Sequence, residues 1–316
     1  MEYFLSLNPM SLLRAWPGSI AQGMIWGIMA LGVYITFRLL DFADLTVDGS
    51  IATGAAVSVM LIRGGVSPLV SLPIAFLAGM LAGLVTGLLN TVLGIPGILA
   101  SILTQLSLYS INLVILGKAN QPVSVDNYPL VTSLRYVTSG STLSRILFFV
   151  EFGLFLLVLV AVLYWYFGTE IGHAIRATGC NPNMARAQGI NTDFIKVLAL
   201  MISNGMVGLC GAFYAQFQGA ADVNMGRGAI VIGLAAVIIG EVLLGKFASR
   251  RKFAFAFTLF SVVLGAMLYY MVYQFVLWLK MPSDYMKLFS ACVVAVFLAV
   301  PYLREKHMQK KGVAKV

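Results

Sequence analysis

Four carboxylates stand where carboxylates are costly. Asp44 and Asp48 open one long apolar run, in Asp44-Leu45-Thr46-Val47-Asp48-Gly49-Ser50, and Asp222 precedes another, in Asp222-Val223-Asn224-Met225-Gly226-Arg227-Gly228. Glu241 lies inside that second run, between Gly233 and Leu244. A carboxylate among apolar residues marks a path or a relay unless it is paired or hydrated. Glu241 is the sharpest case; its alternative is an interfacial position where Lys246 pairs with it. Asp44 and Asp222, at run ends, could instead cap their own helices, which Asp does well. Asp48 lies deeper and is better placed to line a path, with Ser50 beside it.

A second polar set falls on one apolar segment: Ser101, Thr104, Gln105, Ser107, Ser110 and Asn112. Positions 101, 105, 108 and 112 share one helix face, and three of them are polar. That face either hydrogen-bonds to a neighbouring helix or lines a pore. Ser203 and Asn204, then Gln216 and Gln218, make a weaker version of the same pattern. Enzymatic chemistry finds little support. The two histidines, His173 and His307, stand in polar segments, and there is no HExxH and no GxSxG. Cys180, Cys210 and Cys292 are far apart, show no CxxC spacing and read as packing residues, with no metal site. There is no GxxxxGK[ST] loop to bind nucleotide.

The elements that must position these residues are membrane spans. Of 316 residues 60% are hydrophobic and 10% charged, against roughly 25% charged in soluble domains. A span takes about 20 apolar residues. The expected fold is all-α and polytopic, one transmembrane domain over 1–316 with about nine spans: Gly18–Phe37, Leu45–Ile62, Pro68–Leu93, Gly97–Gly117, Ile146–Gly168, Phe194–Phe217, Ala229–Leu244, Phe253–Leu279 and Tyr285–Leu303. Residues 1–17 read as an interfacial segment, because Asn8, Pro9 and Arg14 interrupt its apolar character. No cleavable signal peptide is expected, since no basic stretch precedes that segment.

Lys246, Arg250, Arg251 and Lys252, and the tail 304–316 with Arg304, Lys306, Lys310, Lys311 and Lys315, belong on the cytoplasmic side. Counting back from the tail puts the N-terminus outside and 13 of the 21 Lys and Arg inside. The net charge of +9 is this bias, so nucleic acid is not an expected partner. The expected location is the plasma membrane, or the inner of two, with a cytoplasmic C-terminus and lipid as surroundings.

The two aspartate motifs resemble each other, and each is followed by a proline break, Ile95-Pro96 and Met281-Pro282. Their spans run in opposite directions, so the two units are inverted copies with broken helices, a pattern of transporters. Ala75, Gly79, Gly83 and Gly87 form a small-residue stripe for close helix approach.

The inner segment 169–193, TEIGHAIRATGCNPNMARAQGINTD, alternates helix formers with Gly179, Asn181-Pro182 and Gly189. It predicts two short helices joined by a turn, over Ile171–Ala177 and Met184–Gln188. A connection of this length with its own helices is usually functional.

That segment, followed by a span carrying Gly205, Gly208 and Gly211, resembles the coupling region of bacterial ABC-importer permeases of the branched-chain amino acid and ribose permease family. Leu40-Asp41-Phe42-Ala43-Asp44-Leu45-Thr46-Val47-Asp48-Gly49-Ser50 is similar to the subgroup associated with tryptophan or other aromatic amino acids and with uncharacterised substrates. The similarity covers about Gly18 to Leu303. The resemblance implies an importer of a small polar solute such as an amino acid, not an enzyme. Two permease copies would pair as a homodimer. Two cytoplasmic ATPase subunits, carrying the ATP and magnesium, would dock on Glu170–Gly189, at Glu170, Gly172, Ile175, Arg176, Ala177, Gly179, Asn181, Pro182, Ala185, Arg186 and Gly189. No cofactor is expected on this chain. An extracytoplasmic binding protein would deliver solute near Arg63 and Arg135, and the path would involve Asp48, Ser50, Gln105, Asn112, Asn204 and Glu241. The chain departs from the family pattern at Glu241, where a small residue is usual. Nucleosides and sugars stay open as solutes. An ion-coupled transporter is the other reading; it needs ionisable groups at mid-membrane, and only Asp48 and Glu241 offer themselves.

Overall fold

The structure, a computed structural model, describes residues 9–138, 142–248 and 254–279, together with 288, 291, 292, 295, 296 and 299. Among the described residues, six helices are long and apolar enough to cross a membrane. In chain order the helices are α1 (Pro9–Tyr34, continued by a π-turn at Ile35–Leu39), α2 (Val47–Arg63), α3 (Pro68–Thr91), α4 (Gly97–Leu116), α5 (Leu134–Thr138), α6 (Thr142–Phe167), α7 (Glu170–Cys180), α8 (Pro182–Ala187), α9 (Thr192–Gln218), α10 (Ala229–Ala248) and α11 (Ala254–Trp278). Eight of the expected spans are thus helices, seven of them within a few residues of the expected bounds and the first starting at least nine residues earlier than expected. The ninth lies largely outside the described residues, as do the Met281-Pro282 break, Arg250 to Lys252 and the basic tail.

Two differences have plain causes. Residues 9–17 are not a separate helix but the first turns of α1, which runs unbroken through Pro17. Second, the described residues include one small sheet: β1 (Asn120–Pro122) pairs antiparallel with β2 (Ala220–Asp222). Each strand follows a helix closed by a left-handed glycine, Gly117 at φ 70° and Gly219 at φ 77°, so both chains leave their spans in the same way.

The core is built on α1 and α9. Ser203 Oγ donates to Gly32 O at 2.8 Å, and Cys210 Sγ donates to Ile25 O at 3.3 Å. As one number rises the other falls, so the two helices cross antiparallel. An offset of 178 residues carries Ile25 to Ser203 and Gly32 to Cys210, so the two residue pairs are images of each other, with α9 supplying the donor in both. The same offset carries Asp44 to Asp222 and Asp48 to Gly226, the motifs matched in the sequence. An offset of 184 relates α3 to α11: Gly83 packs on Met201 as Met267 packs on Gly23, and Gly79 packs on Gly205 as Val263 packs on Gly27. The chain therefore folds as two inverted units around α1 and α9.

Candidate functional site

The first break follows the π-turn. Asp41 adopts a positive φ of 55°, a conformation Asp tolerates better than most residues, and the chain then re-enters the fold. Asp44 is buried; its Oδ1 accepts from the Thr46 amide at 2.9 Å. Asp222 Oδ1 accepts from the Asn224 amide at 2.7 Å. Both aspartates therefore brace their own turn in the same way, two residues on. Asp44 does more: its Oδ2 accepts from Asn204 Nδ2 at 2.7 Å, and Asn204 Oδ1 accepts from Ser50 Oγ at 2.6 Å. Thr46, Thr86 and Thr104 continue the network through hydroxyl contacts of 2.8 and 2.9 Å. These polar groups tie α2, α3, α4 and α9 together.

Asp48 reaches across to the other unit. Its carboxylate accepts from the Gly228 amide at 2.9 Å and the Ile230 amide at 3.0 Å, at the start of α10. Helix starts carry unpaired N–H groups and a positive dipole end, so the carboxylate caps a helix 180 residues away. The approach is close: a side-chain carbon on Gly226 would collide with the Asp48 carbonyl.

Glu241 is paired with Arg38; the Lys246 side chain expected beside it lies outside the described residues. Arg38 in the π-turn donates through Nε to Glu241 Oε1 at 2.8 Å, and its Nη2 contacts Oε2. The π-turn shifts the helix register and so changes which way position 38 faces. No periodicity in the sequence announces that.

Of the other expected path residues, Ser50, Asn112 and Asn204 are fully buried. Asn112 Nδ2 reaches Gly49 O at 3.4 Å, while its Oδ1 has no partner. Gln105 is half-buried, with its Cα against Gly49. The structure thus brings Ser50 and Asn204 together, sets Asn112 and Gln105 beside the same helix, and separates Asp48 and Glu241 from them. None of them lines the cavity of about 430 Å³ between α1, α9, α10 and α11, whose walls include Trp26, Tyr214, Tyr270, Tyr273 and Arg227. Its signal was available in the sequence as the Tyr269-Tyr270 and Tyr273 cluster inside a span.

Segment 169–193 forms the two short helices that its punctuation predicts. Thr169 caps α7, and the Asn181 side chain accepts from the Asn183 and Met184 amides to cap α8. Arg186 donates to Thr192 Oγ1 at 2.7 Å and pairs with Asp193 at 3.2 Å, which locks the pair of helices onto α9. Gly172, Ile175 and Ala185 are buried and Gly179 is half-buried. Glu170, Ala177, Asn181, Pro182, Arg186 and Gly189 face outward. Gly179 rests on the first break so tightly that a side-chain carbon would collide with the Leu39 carbonyl. Arg176 turns inward, its guanidinium carbon 3.8 Å from the centre of the Phe255 ring. Desolvation there lowers its pKa from the ordinary value. Glu170, Ile171, Ala174, Ala177 and Ile190 border a shallow apolar hollow of about 660 Å³.

At the opposite ends of the spans, Arg63 Nη1 donates to Gln121 Oε1 at 2.5 Å, and Arg135 pairs with Asp126 at 2.7 Å. Both arginines stay exposed beside the small sheet.

Three comparisons bear on this arrangement. Residues 18–299 match the family described as branched-chain amino acid transport system permease component. The chain is 38% identical over 280 residues to a tyrosine transport system permease protein of Clostridioides difficile, covering 89% of each chain. It is 29% identical to an autoinducer 2 import system permease protein of Yersinia pseudotuberculosis, over 84% of this chain and 70% of that one. It is 27% identical to an inner membrane ABC transporter permease protein of Escherichia coli, over 73% of this chain and 66% of that one. No solved structure matches.

Proposed function

The chain belongs to the family of branched-chain amino acid transport system permease components, and from that membership we propose that it is the membrane subunit of an ATP-driven importer of amino acids, aromatic ones among them. A second copy completes the permease, a pair of separate ATPase subunits docks on Glu170–Gly189, and an extracytoplasmic binding protein presents the solute on the side of Arg63 and Arg135. The C-terminus then lies in the cytoplasm. The similarity to a tyrosine permease supports an aromatic solute.

The observation that carries the reading is where α7 rests. Its Gly179 lies on the backbone of Leu39 and Leu40, at the break of α1. Arg38, one residue away, holds Glu241 on α10, and Asp48 holds the start of that same helix. A push on α7 from a closing ATPase pair therefore meets both breaks through direct contacts. Physical continuity of this kind is what coupling needs, and its demonstration is a measured response. Ion coupling gains no support: both candidate carboxylates are engaged, one by amides and one by a guanidinium.

The test is recovery of an ATPase with solubilised permease from native membranes, and ATP-dependent uptake of labelled amino acid in reconstituted vesicles. Ala177→Trp, which fills the hollow on the outward face of α7, is expected to lose the ATPase while the permease stays folded. An ATPase retained in full by that variant sinks the docking assignment. Uptake driven without any ATPase sinks the importer reading.

A further inference from the structure

We propose that the π-turn at Ile35–Leu39 is a register switch. Wound as π, it latches the first break to α10 through Arg38 and Glu241; rewound as α, it lets α10 go. The importer reading supplies the push that drives it, while the switch itself rests on how the chain is tied.

The chain around the turn is a closed loop. Ahead of it, Gly32 O accepts from Ser203 Oγ at 2.8 Å, and beyond it Asp44 Oδ2 accepts from Asn204 Nδ2 at 2.7 Å. Ser203 and Asn204 are consecutive residues of α9, so both ends of 32–44 are moored at one level of one helix. Inside the loop the Leu40 amide bonds to Ile35 O at 3.0 Å, five residues back, and the Phe42 amide to Thr36 O at 2.9 Å, six back. A π-turn holds one residue more than an α-turn, so this one stores a residue of slack between fixed moorings. Residues 41–43 have no regular structure, and Asp41 and Ala43 are exposed. That stretch takes up the stored residue when the turn rewinds.

Rewinding changes what faces α10. It rotates the chain past the turn by up to about 100°, one residue's share of an α-turn. With α1 held in the core as far as Tyr34, the direction now taken by Arg38 passes to Phe37. Arg38 donates to Glu241 Oε1 at 2.8 Å in the present register; in the other, the carboxylate loses its cation. The side chains of Arg38 and Glu241 are 50% and 26% exposed, so water takes the place of the guanidinium and the latch is cheap to open. Phe37 is 39% exposed, so turning it toward α10 disrupts no core. Asp48 still caps the start of α10, so release frees the inner end of that helix to swing about its outer one. The trigger is already in contact: Gly179 of α7 lies on the Leu39 and Leu40 backbone, where the π-turn ends.

The experiment reads the register by thiol cross-linking of the full chain in lipid nanodiscs, with Cys180, Cys210 and Cys292 replaced by alanine. A short bis-methanethiosulfonate reagent links Arg38→Cys to Glu241→Cys in the π register and Phe37→Cys to Glu241→Cys in the α register. Both pairs lack the latch, so they are compared at equal bias. Without ATPase the first pair is expected to link about tenfold faster, following the populations. One glycine inserted between Asp41 and Phe42 supplies the slack that the π-turn stores, and is expected to speed 37–241 linking about tenfold with an unchanged melting curve. The ATPase recovered with the permease, held closed by ATP and vanadate, is expected to do the same. Deleting Phe37 removes the stored residue and leaves Arg38 on Glu241 in a continuous α-helix; ATP-driven uptake is expected to fall about tenfold while the 38–241 pair still links. Equal linking of the two pairs, or 37–241 linking unmoved by a folded insertion variant, overturns the switch. Uptake at the wild-type rate after the deletion overturns it too, and decides alone where the insertion variant does not fold. A response to the insertion in a permease that recovers no ATPase leaves the switch standing and removes the importer; an ATPase-coupled permease with no such response does the reverse.

Discussion

Replacing Asp48 separates a cap from a path. If its carboxylate holds the start of α10, Asp48→Ala strips the acceptor from two amides, Gly228 and Ile230, at 2.9 and 3.0 Å. Losing an N-cap costs about 0.5–2 kcal/mol, and leaving a buried donor unpaired costs about 1–3 kcal/mol. The Gly228 amide is exposed enough to find water, whereas Ile230 is part-buried, so the total is roughly 2–4 kcal/mol. Asp48→Asn keeps one acceptor oxygen and loses the charge at the positive helix end, worth about 0.3–1 kcal/mol, so about 1 kcal/mol is expected. Uptake alone does not discriminate, because either role predicts a defect. Unfolding of the reconstituted permease does, together with hydrogen exchange at 228–231. Exchange there is expected to accelerate by roughly 30- to 1,000-fold in the alanine variant, at tenfold per 1.4 kcal/mol, and by roughly fivefold in the asparagine variant. Wild-type stability and wild-type protection in Asp48→Ala would refute the cap.

Three further outcomes follow from the same contacts. Gly179→Leu drives α7 off the Leu39 carbonyl; uptake is expected to fall at least tenfold while the ATPase still co-purifies, and parallel loss of both removes the coupling contact from consideration. Arg38→Ala and Glu241→Ala are each expected to impair uptake, and the swapped pair Arg38→Glu with Glu241→Arg to recover part of it. The stability change is small, about 0.2–1 kcal/mol for a pair this accessible, and a swap no better than the singles counts against the pair. Asn204→Leu deprives buried Asp44 and Ser50 of their partner and is expected to cost about 2–5 kcal/mol, read as loss of a monodisperse peak in size exclusion; an unchanged melting curve would contradict the network.

Apolar runs, glycine closures and prolines at first helical turns are local signals, which is why all but the first of the described spans were legible to within a few residues. The two short helices of 169–193 were legible for the same reason, through Thr169, Asn181 and the glycines. The partners were not. Asp48 meets Gly228 and Asp44 meets Asn204 across more than 150 residues, and a sequence read along its length carries no measure of such distances. Glu241 shows the limit most clearly. Its partner Arg38 stands 203 residues away in sequence and is set by the π-turn at Ile35–Leu39. Arg176 was assigned to the docking segment by its place in the chain, and its inward turn onto Phe255 depends on a helix that begins 78 residues later.

The repeat relates the hydrogen-bonded network, where α9 meets α2, α3 and α4, to the cavity wall, where α1 meets α10 and α11. The offset of 178 carries Trp26 to Asn204, and the offset of 184 carries Thr86 to Tyr270. Asn204 and Thr86 belong to the closed polar network with Asp44, Ser50 and Thr46. Their images, Trp26 and Tyr270, are in contact with ring centroids 5.6 Å apart, on the wall of the aromatic cavity. The same two positions in the two units have thus taken opposite chemistry. Small hydroxyls and amides satisfy one another and leave no room, while large rings in contact at their edges leave faces and an indole N–H unmet. Arg227 maps to Gly49, so the cation that the cavity presents has no counterpart in the network. At the centre, Asp48 and its image Gly226 touch, and there too only one unit supplies the charge. An inverted pair built from identical halves would open and close alike on both sides. Here one arrangement is tied by hydrogen bonds among buried partners and its image is packed through rings in edge contact, so the two halves, though inverted copies in backbone, are held by different physics.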